Sequence, residues 1–276
     1  MTYPPFSVSM CVYGGDNPEF FDAAVESVVR QSVPPAEIVL TVDGPIPRTI
    51  QAVIDKYRST LKEISFRVIY LERNMGHGQA RRTSFDHCTH RLIALMDADD
   101  LSLPERFRKQ LDCFAADPEL DIVGGTIQEF VDVPEQVAGR RVVPLTDGEI
   151  KDYMKRRCPM NQVTVMFRKE AVAQAGGYLD WYCDEDYYLW IRMALAGKKF
   201  ANLPDVLVHV RVGREMYSRR GGWKYFRSEA RLQRLMLQKG IIGPGRYGLN
   251  VAQRLALQVL MPNRLRSFLF RKLARE

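Results

Sequence analysis

Three carboxylates, Asp97, Asp99 and Asp100, stand within four positions directly behind the apolar run at residues 92–96. In extended backbone, residues two apart face the same side, so Asp97 and Asp99 converge on one point. Converging carboxylates repel unless a cation lies between them. Oxygen donors of this kind select a hard divalent ion, Mg²⁺ or Mn²⁺. The bland reading of the same residues is a solvated acidic turn ahead of the helix after Pro104. A second acidic group, Asp184, Glu185 and Asp186, is crowded by Trp181, Tyr182, Tyr187, Tyr188 and Trp190. Acids at a helix start complement its dipole. Apolar surroundings also raise a carboxylate's pKa and make it a better base. The stretch alone leaves both readings open. His87, Cys88 and His90 are close enough to share a metal, yet no second cluster has zinc spacing. Gly76-His77-Gly78 is too short to be a phosphate-binding loop by itself.

The elements that must position these groups alternate in type. Residues 7–12, 37–42, 66–71, 92–96 and 121–130 read as strands. Between them, Asn17 caps a helix with Pro18 at its first position, a helix spans about 48–61, another spans 78–88, and one begins at Pro104. Short apolar strands alternating with helices predict a mostly parallel sheet covered on both faces. Ligands of such sheets bind beyond the carboxyl ends of the strands. Tyr13, Asp43 and the Asp97–Asp100 group all fall at such ends. In the second half, 147–157 and 184–196 read as helices, 163–167 and 206–212 as strands, and 213–222 as a mobile basic loop with Gly221-Gly222 as a hinge.

Composition narrows the class. The 276 residues are 46% hydrophobic and 26% charged, which excludes a disordered, collagenous or coiled-coil chain. Five cysteines with no CxxC pair predict neither a disulfide framework nor a four-cysteine zinc site. No secretory signal or bilayer-length apolar run is read, so a cytoplasmic address is expected. The net charge of +7 is uneven: residues 211–276 hold 16 Lys/Arg against three acids. That basic region points to an anionic contact.

Together these pieces resemble family 2 glycosyltransferases of the GT-A fold, of the bacterial cell-surface or capsular polysaccharide type. The resemblance runs in order over residues 6–212. It comprises residues 7–13, Ala24–Val28 with Gln31-Ser32, Glu37–Leu40 through Asp43-Gly44, Asn74–Gly76, Ala80-Arg81, Leu95–Asp100 with Pro104 and Arg106, Gly176–Tyr178, and Glu185–Arg192. It implies an inverting, metal-dependent transfer from a nucleotide-sugar, usually a UDP-sugar, to a hydroxyl of a lipid-linked glycan. It implies that Tyr13, Asp43, Arg81 and Asp97 bind the nucleotide and that Asp99, with Asp97, holds Mn²⁺ or Mg²⁺. Asp186 is implied as the general base, with Glu185 sharing that role or holding the acceptor beside Trp181. Three positions depart from the family pattern: Arg82 after the Ala-Arg pair, Pro45 after Asp43-Gly44, and Gln162 where a His is often found. The expected organisation is a glycosyltransferase domain at 1–212, with a nucleotide half at 1–130 and an acceptor half at 131–212, then a basic helical region at 213–276.

Two other classes share some of these features. A sugar-phosphate nucleotidyltransferase would carry a basic glycine-rich loop after the first strand, but Gly14-Gly15-Asp16 has no Lys or Arg. A non-catalytic surface-binding module would not need Asp97, Asp99 and Asp186. In the tail, Leu265, Phe268, Leu269 and Leu273 share a helical face among Arg264, Arg266, Arg271, Lys272 and Arg275. This is the pattern of a helix lying in an anionic membrane interface, although the same face could pack on the body. Such a tail would hold the enzyme peripherally at the inner face of the bacterial membrane. No nucleic-acid partner is expected.

Overall fold

The computed structural model describes residues 3–213 and 221–261. Nine strands form one sheet: β1 Phe6–Tyr13, β2 Glu37–Asp43, β3 Ser65–Tyr70, β4 Leu92–Met96, β5 Leu101–Ser102, β6 Ile122–Phe130, β7 Val137–Arg141, β8 Met166–Arg168 and β9 Phe200–Arg211. Their order is β3-β2-β1-β4-β8-β6-β9-β5, with β7 beside β6. β3, β2, β1 and β4 are parallel neighbours. The short β8 then runs antiparallel between β4 and β6. The sheet is mostly parallel, as expected, and mixed across its centre.

Strand alternation supplies two cores. Ile38, Leu40 and Val42 of β2, with Leu92, Ala94 and Met96 of β4, pack under α1 (Pro18–Val29), α2 (Arg48–Thr60) and α4 (Arg106–Ala116). Val39, Ile93 and Leu95 face the opposite core, where α7 (Glu185–Leu195) supplies Leu189, Trp190, Ile191 and Met193. On that second face β1 presents Ser7, Ser9 and Cys11 instead of large apolar groups. Ser9 Oγ lies 2.5 Å from Ser84 Oγ of α3 (His77–His87), and Ser7 Oγ donates to Glu37 at 2.6 Å. This small polar face leaves room for a long side chain from α3.

Local chemistry sets the boundaries. Asn17 Oδ1 accepts from the Glu19 and Phe20 amides at 2.8 and 3.2 Å, capping α1 as expected. Several expectations need correction. The helix after Pro104 begins at Arg106, because the carbonyls of Leu103 and Pro104 serve a turn and the Ser32 amide. The strand expected at 163–167 is a single 3₁₀ turn, Gln162–Thr164, followed by β8. There the Asn161 and Thr164 side chains take the Gly125 and Asn161 carbonyls and compete with the ladder. α5 (Asp147–Met154) stops before 157, and β9 starts at Phe200 rather than 206.

Beyond β9, α8 (Trp223–Gln238) and α9 (Pro244–Leu255) pack on the acceptor half. Asn250 Nδ2 donates to the Lys155 carbonyl at 2.8 Å, and Ser228 Oγ to the Tyr182 carbonyl at 2.6 Å. The loop centred on 214–220 and the tail at 263–276 lie outside the described residues. Among the described residues no helix is long and apolar enough to cross a membrane.

Gly44 shows how tightly the strand ends are built. Its φ is +84°, and a Cβ there would lie 2.5 Å from the Asn74 amide nitrogen. Gly44→Ala is expected to cost about 2 kcal/mol or more and to displace the loop at 73–76. Thermal denaturation checks the first effect and hydrogen exchange at 73–76 the second.

Candidate active site

The site grows from the carboxyl ends of β1, β2 and β4. Arg81, from the first turns of α3, is wholly buried. Its guanidinium donates to the Ser9 carbonyl at 3.1 Å, the Met96 carbonyl at 3.3 Å and Asp97 Oδ1 at 2.5 Å. Its Nη2 is also 3.3 Å from His77 Nε2. One cation therefore ties the neighbouring strands β1 and β4 together and fixes the first carboxylate of the acidic motif.

The three motif aspartates have different surroundings. Asp97 is held by Arg81 but stays partly open. Asp99 is exposed, and its carboxylate lies near its own backbone amide and within reach of the Arg211 charge. Incomplete hydration inside the cleft, then repulsion from Asp97 and Asp16, push its pKa up to about 6. Asp100 is buried and accepts the Arg211 amide at 2.8 Å, so it anchors β9 beneath the motif. His209 of the same strand lies against Phe130 and pairs in register with Leu101.

Tyr13 and Asp43 flank this centre. Tyr13 is 42% exposed, and its ring lies over Gly15 so closely that a Cβ there would meet the ring at 2.6 Å. Asp43 is buried, and both its oxygens are engaged by backbone: Oδ1 accepts from Met75 at 2.6 Å and Oδ2 from Gly76 at 3.0 Å. Here Asp43 clamps the loop before α3. Asp16, not singled out in the sequence, accepts the Tyr13 amide at 2.9 Å. Its pKa rises to about 6 through burial and the Asp97 charge. Its position three residues past a strand end was the signal available for finding it.

Across the cleft stands the start of α7. Asp186 has an oxygen sealed from water with no partner among the described residues. Burial first, then Glu185, Asp97 and Asp184, push its pKa well above the usual carboxylate range, with Arg81 opposing. Glu185 lies against Gly78 at the head of α3, and its pKa is raised chiefly by burial. Asp184, also missed as a site residue, is pushed up to about 8 by burial and by Glu229. Trp181 does not reach the cleft. It is 8% exposed, donates to the Ser228 carbonyl at 3.3 Å and packs between Tyr188 and Arg231. Asp97, Asp100, Asp184 and Asp186 line one cleft of about 500 Å³, closed by α8 and the C-terminal part of α9.

Among the described residues no three His, Cys, Asp or Glu side chains converge enough to hold a metal by themselves. The pair Asp97 and Asp99 suits an ion that completes its shell with phosphate oxygens and water. The exposed Asp99 carboxylate, repelled by Asp97 and Asp16, is an anionic position that such an ion would neutralise.

Comparison with known proteins agrees with this geometry. The family model described as "Glycosyl transferase family 2" matches residues 7–175, and "Glycosyl transferase family group 2" matches 92–260. The chain belongs to glycosyltransferase family 2 and is an enzyme of that class. It is 36% identical over 270 residues to the amylovoran biosynthesis glycosyltransferase AmsE of Erwinia amylovora, covering 97% of this chain and 98% of AmsE. It is 32% identical over 272 residues to an Escherichia coli enzyme named UDP-Gal:α-D-GlcNAc-diphosphoundecaprenol β-1,3-galactosyltransferase, covering 99% and 97%. The mannosyltransferase PcManGT of Pyrobaculum calidifontis, solved with GDP-Man and Mn²⁺, superposes with a TM-score of 0.63 at 15% identity, covering 96% and 72%. The fold is that of GT-A glycosyltransferases.

Protons would compete with a metal ion held at Asp99. Mn²⁺-assisted UDP affinity is therefore expected to be steady near pH 8 and to fall as pH drops through about 6, approaching tenfold per unit below it. UDP titrations with and without Mn²⁺ at pH 5 and 8 check this; equal Mn²⁺ enhancement at both values contradicts it.

Proposed function

We propose that the enzyme moves a sugar from a UDP-sugar to a hydroxyl of a lipid-linked glycan in cell-surface polysaccharide synthesis, with inversion at the anomeric carbon. The observation that carries this reading is Asp186, with one oxygen sealed from water and unpartnered among the described residues, lining one cleft with Asp97. The name of the E. coli relative, matched over nearly its whole length, supports both the uridine donor and the diphosphate-linked acceptor.

Each group then has a task. Tyr13 packs against the base, and the loop clamped by Asp43 borders it. Arg81 holds Asp97 toward the donor, and Asp97 and Asp99 together hold Mn²⁺ or Mg²⁺. When bound, that ion neutralises charge developing on the diphosphate. Asp186 accepts the proton of the acceptor hydroxyl as its oxygen attacks the anomeric carbon. The new carbon–oxygen bond forms as the bond to the diphosphate breaks, and UDP departs with the electron pair. A carboxylate whose pKa is raised by burial accepts that proton better than an ordinary aspartate. Glu185, at the head of α3, orients the acceptor.

Asp186→Asn is expected to lower kcat about 10²- to 10⁴-fold, the usual contribution of a general base, while leaving the Kd for UDP unchanged. Glu185→Gln should cost less. Steady-state kinetics beside calorimetric titration reads both, and a larger loss in Glu185→Gln would move the base to Glu185.

The same reading places the enzyme at the membrane surface through residues 263–276. Each basic residue near an anionic leaflet adds about 1 kcal/mol. Full-length protein is expected to co-sediment with anionic vesicles in a salt-sensitive way, and a chain ending at 262 to stay in the supernatant. Equal sedimentation of both excludes the tail from this role.

A further inference from the structure

The cleft has a second wall that the transfer step does not use. Residues following α5 bring Arg157 and Gln162 into it, and β7 brings Arg141. Four arginines border this space, and three are engaged within the protein. Arg254 pairs with Glu229, Arg156 pairs with Asp152 at 3.2 Å, and Arg141 donates to the Cys158 carbonyl at 2.8 Å. Arg157 is half-buried, and among the described residues its guanidinium has no ion pair, hydrogen bond or ring contact. In the same wall Gln162 Nε2 is shielded from water and has no acceptor. Two donors, one of them permanently charged, thus face the cleft without partners. A guanidinium offers a planar fork that matches phosphate oxygens two at a time.

The basic wall is close to the base. Cys158, next to Arg157 in sequence, lies within the electrostatic reach of Arg141 on one side and of Asp186 and Asp184 on the other. An acceptor whose hydroxyl meets Asp186 therefore carries its next groups toward Arg157. Beyond them the wall continues along the helical segment after α9, with Leu257 in the cleft and Leu260 72% exposed. An anion followed by an alkyl chain fits this sequence of surfaces.

We propose that Arg157 and Gln162 form a subsite for a phosphate-ester or diphosphate group on the acceptor, whose alkyl chain leaves along Leu257 and Leu260. This assignment rests on the glycosyl-transfer reading above and names the residues that would distinguish a phosphate-linked acceptor from a neutral glycan.

The test is calorimetric, on the full chain saturated with UDP and Mn²⁺ so that the donor site is filled. Hexyl diphosphate is the probe and inorganic pyrophosphate the comparison. The wild-type protein is expected to bind hexyl diphosphate more tightly than pyrophosphate. Arg157→Gln should weaken hexyl diphosphate at least tenfold, and Arg157→Lys should retain part of the affinity. UDP affinity should be the same in all three proteins. Unchanged hexyl diphosphate binding in Arg157→Gln overturns the subsite. Pyrophosphate binding as tight as that of hexyl diphosphate overturns its assignment to a lipid-linked acceptor. A failure of the wild type to bind UDP would instead count against the donor reading, and it is read in a separate titration.

Discussion

A fully buried guanidinium needs a partner for nearly every proton, and the donor side of this enzyme is arranged around one. Arg81 reaches the Ser9 carbonyl within β1, the Met96 carbonyl that ends β4 and the carboxylate of Asp97. Burying a charge is costly unless it is paired and hydrogen-bonded. The face of β1 toward α3 is accordingly small and polar, with Ser9 and Cys11 where the other face has Val8, Met10 and Val12. Had that face been filled with large apolar side chains, α3 could not approach with an arginine. Asp97 would then have been an exposed carboxylate free to turn. Fixing it also fixes the direction in which the following Asp99 leaves the strand.

The rest of the molecule divides its labour around this point. The parallel half brings strand ends and loops together: Tyr13 over Gly15, and Asp43 holding the loop before α3. The mixed half turns the chain back so that α7 presents Asp186 across the cleft. β8 makes this possible by inserting antiparallel between β4 and β6, which sets the two halves side by side in one sheet. Asp100 adds a tie between them through the Arg211 amide. α8 and α9 then close the acceptor side, so the basic C-terminal region contributes cleft wall as well as surface charge.

How much of this was readable in the sequence follows from the range of the interactions. β1, β2 and β4 were legible because parallel strands buried on both faces appear as continuous apolar runs. α1 was legible from its Asn-Pro start, and the paired aspartates from their spacing alone. β8 was misplaced because the side chains of Asn161 and Thr164 hold the preceding backbone in a turn, an effect that propensity does not record. α8 and α9 were legible only as one basic helical region, because their buried residues are few and scattered among Arg, Lys and Gln. Trp181 looked like an acceptor platform in its aromatic stretch, but α8, some forty residues later, covers it. Asp43 was read by position as a base contact, and only the folded loop shows both its oxygens taken by amides. Arg157 carried no local signal, since among the described residues it is set apart only by lacking a partner where the cleft's other arginines, Arg141, Arg156 and Arg254, have one.

On the proposed function, an ion held at Asp97 and Asp99 and the base Asp186 lie on opposite sides of the reacting carbon. A crystal structure with UDP and Mn²⁺, the ion located by its anomalous scattering, tests this most directly. The account predicts Mn²⁺ coordinated by Asp99 and the diphosphate, with uracil beside Tyr13 and the terminal phosphate directed toward the space before Asp186. An ion bound elsewhere, or UDP seated outside the β1, β2 and β4 strand ends, would contradict it.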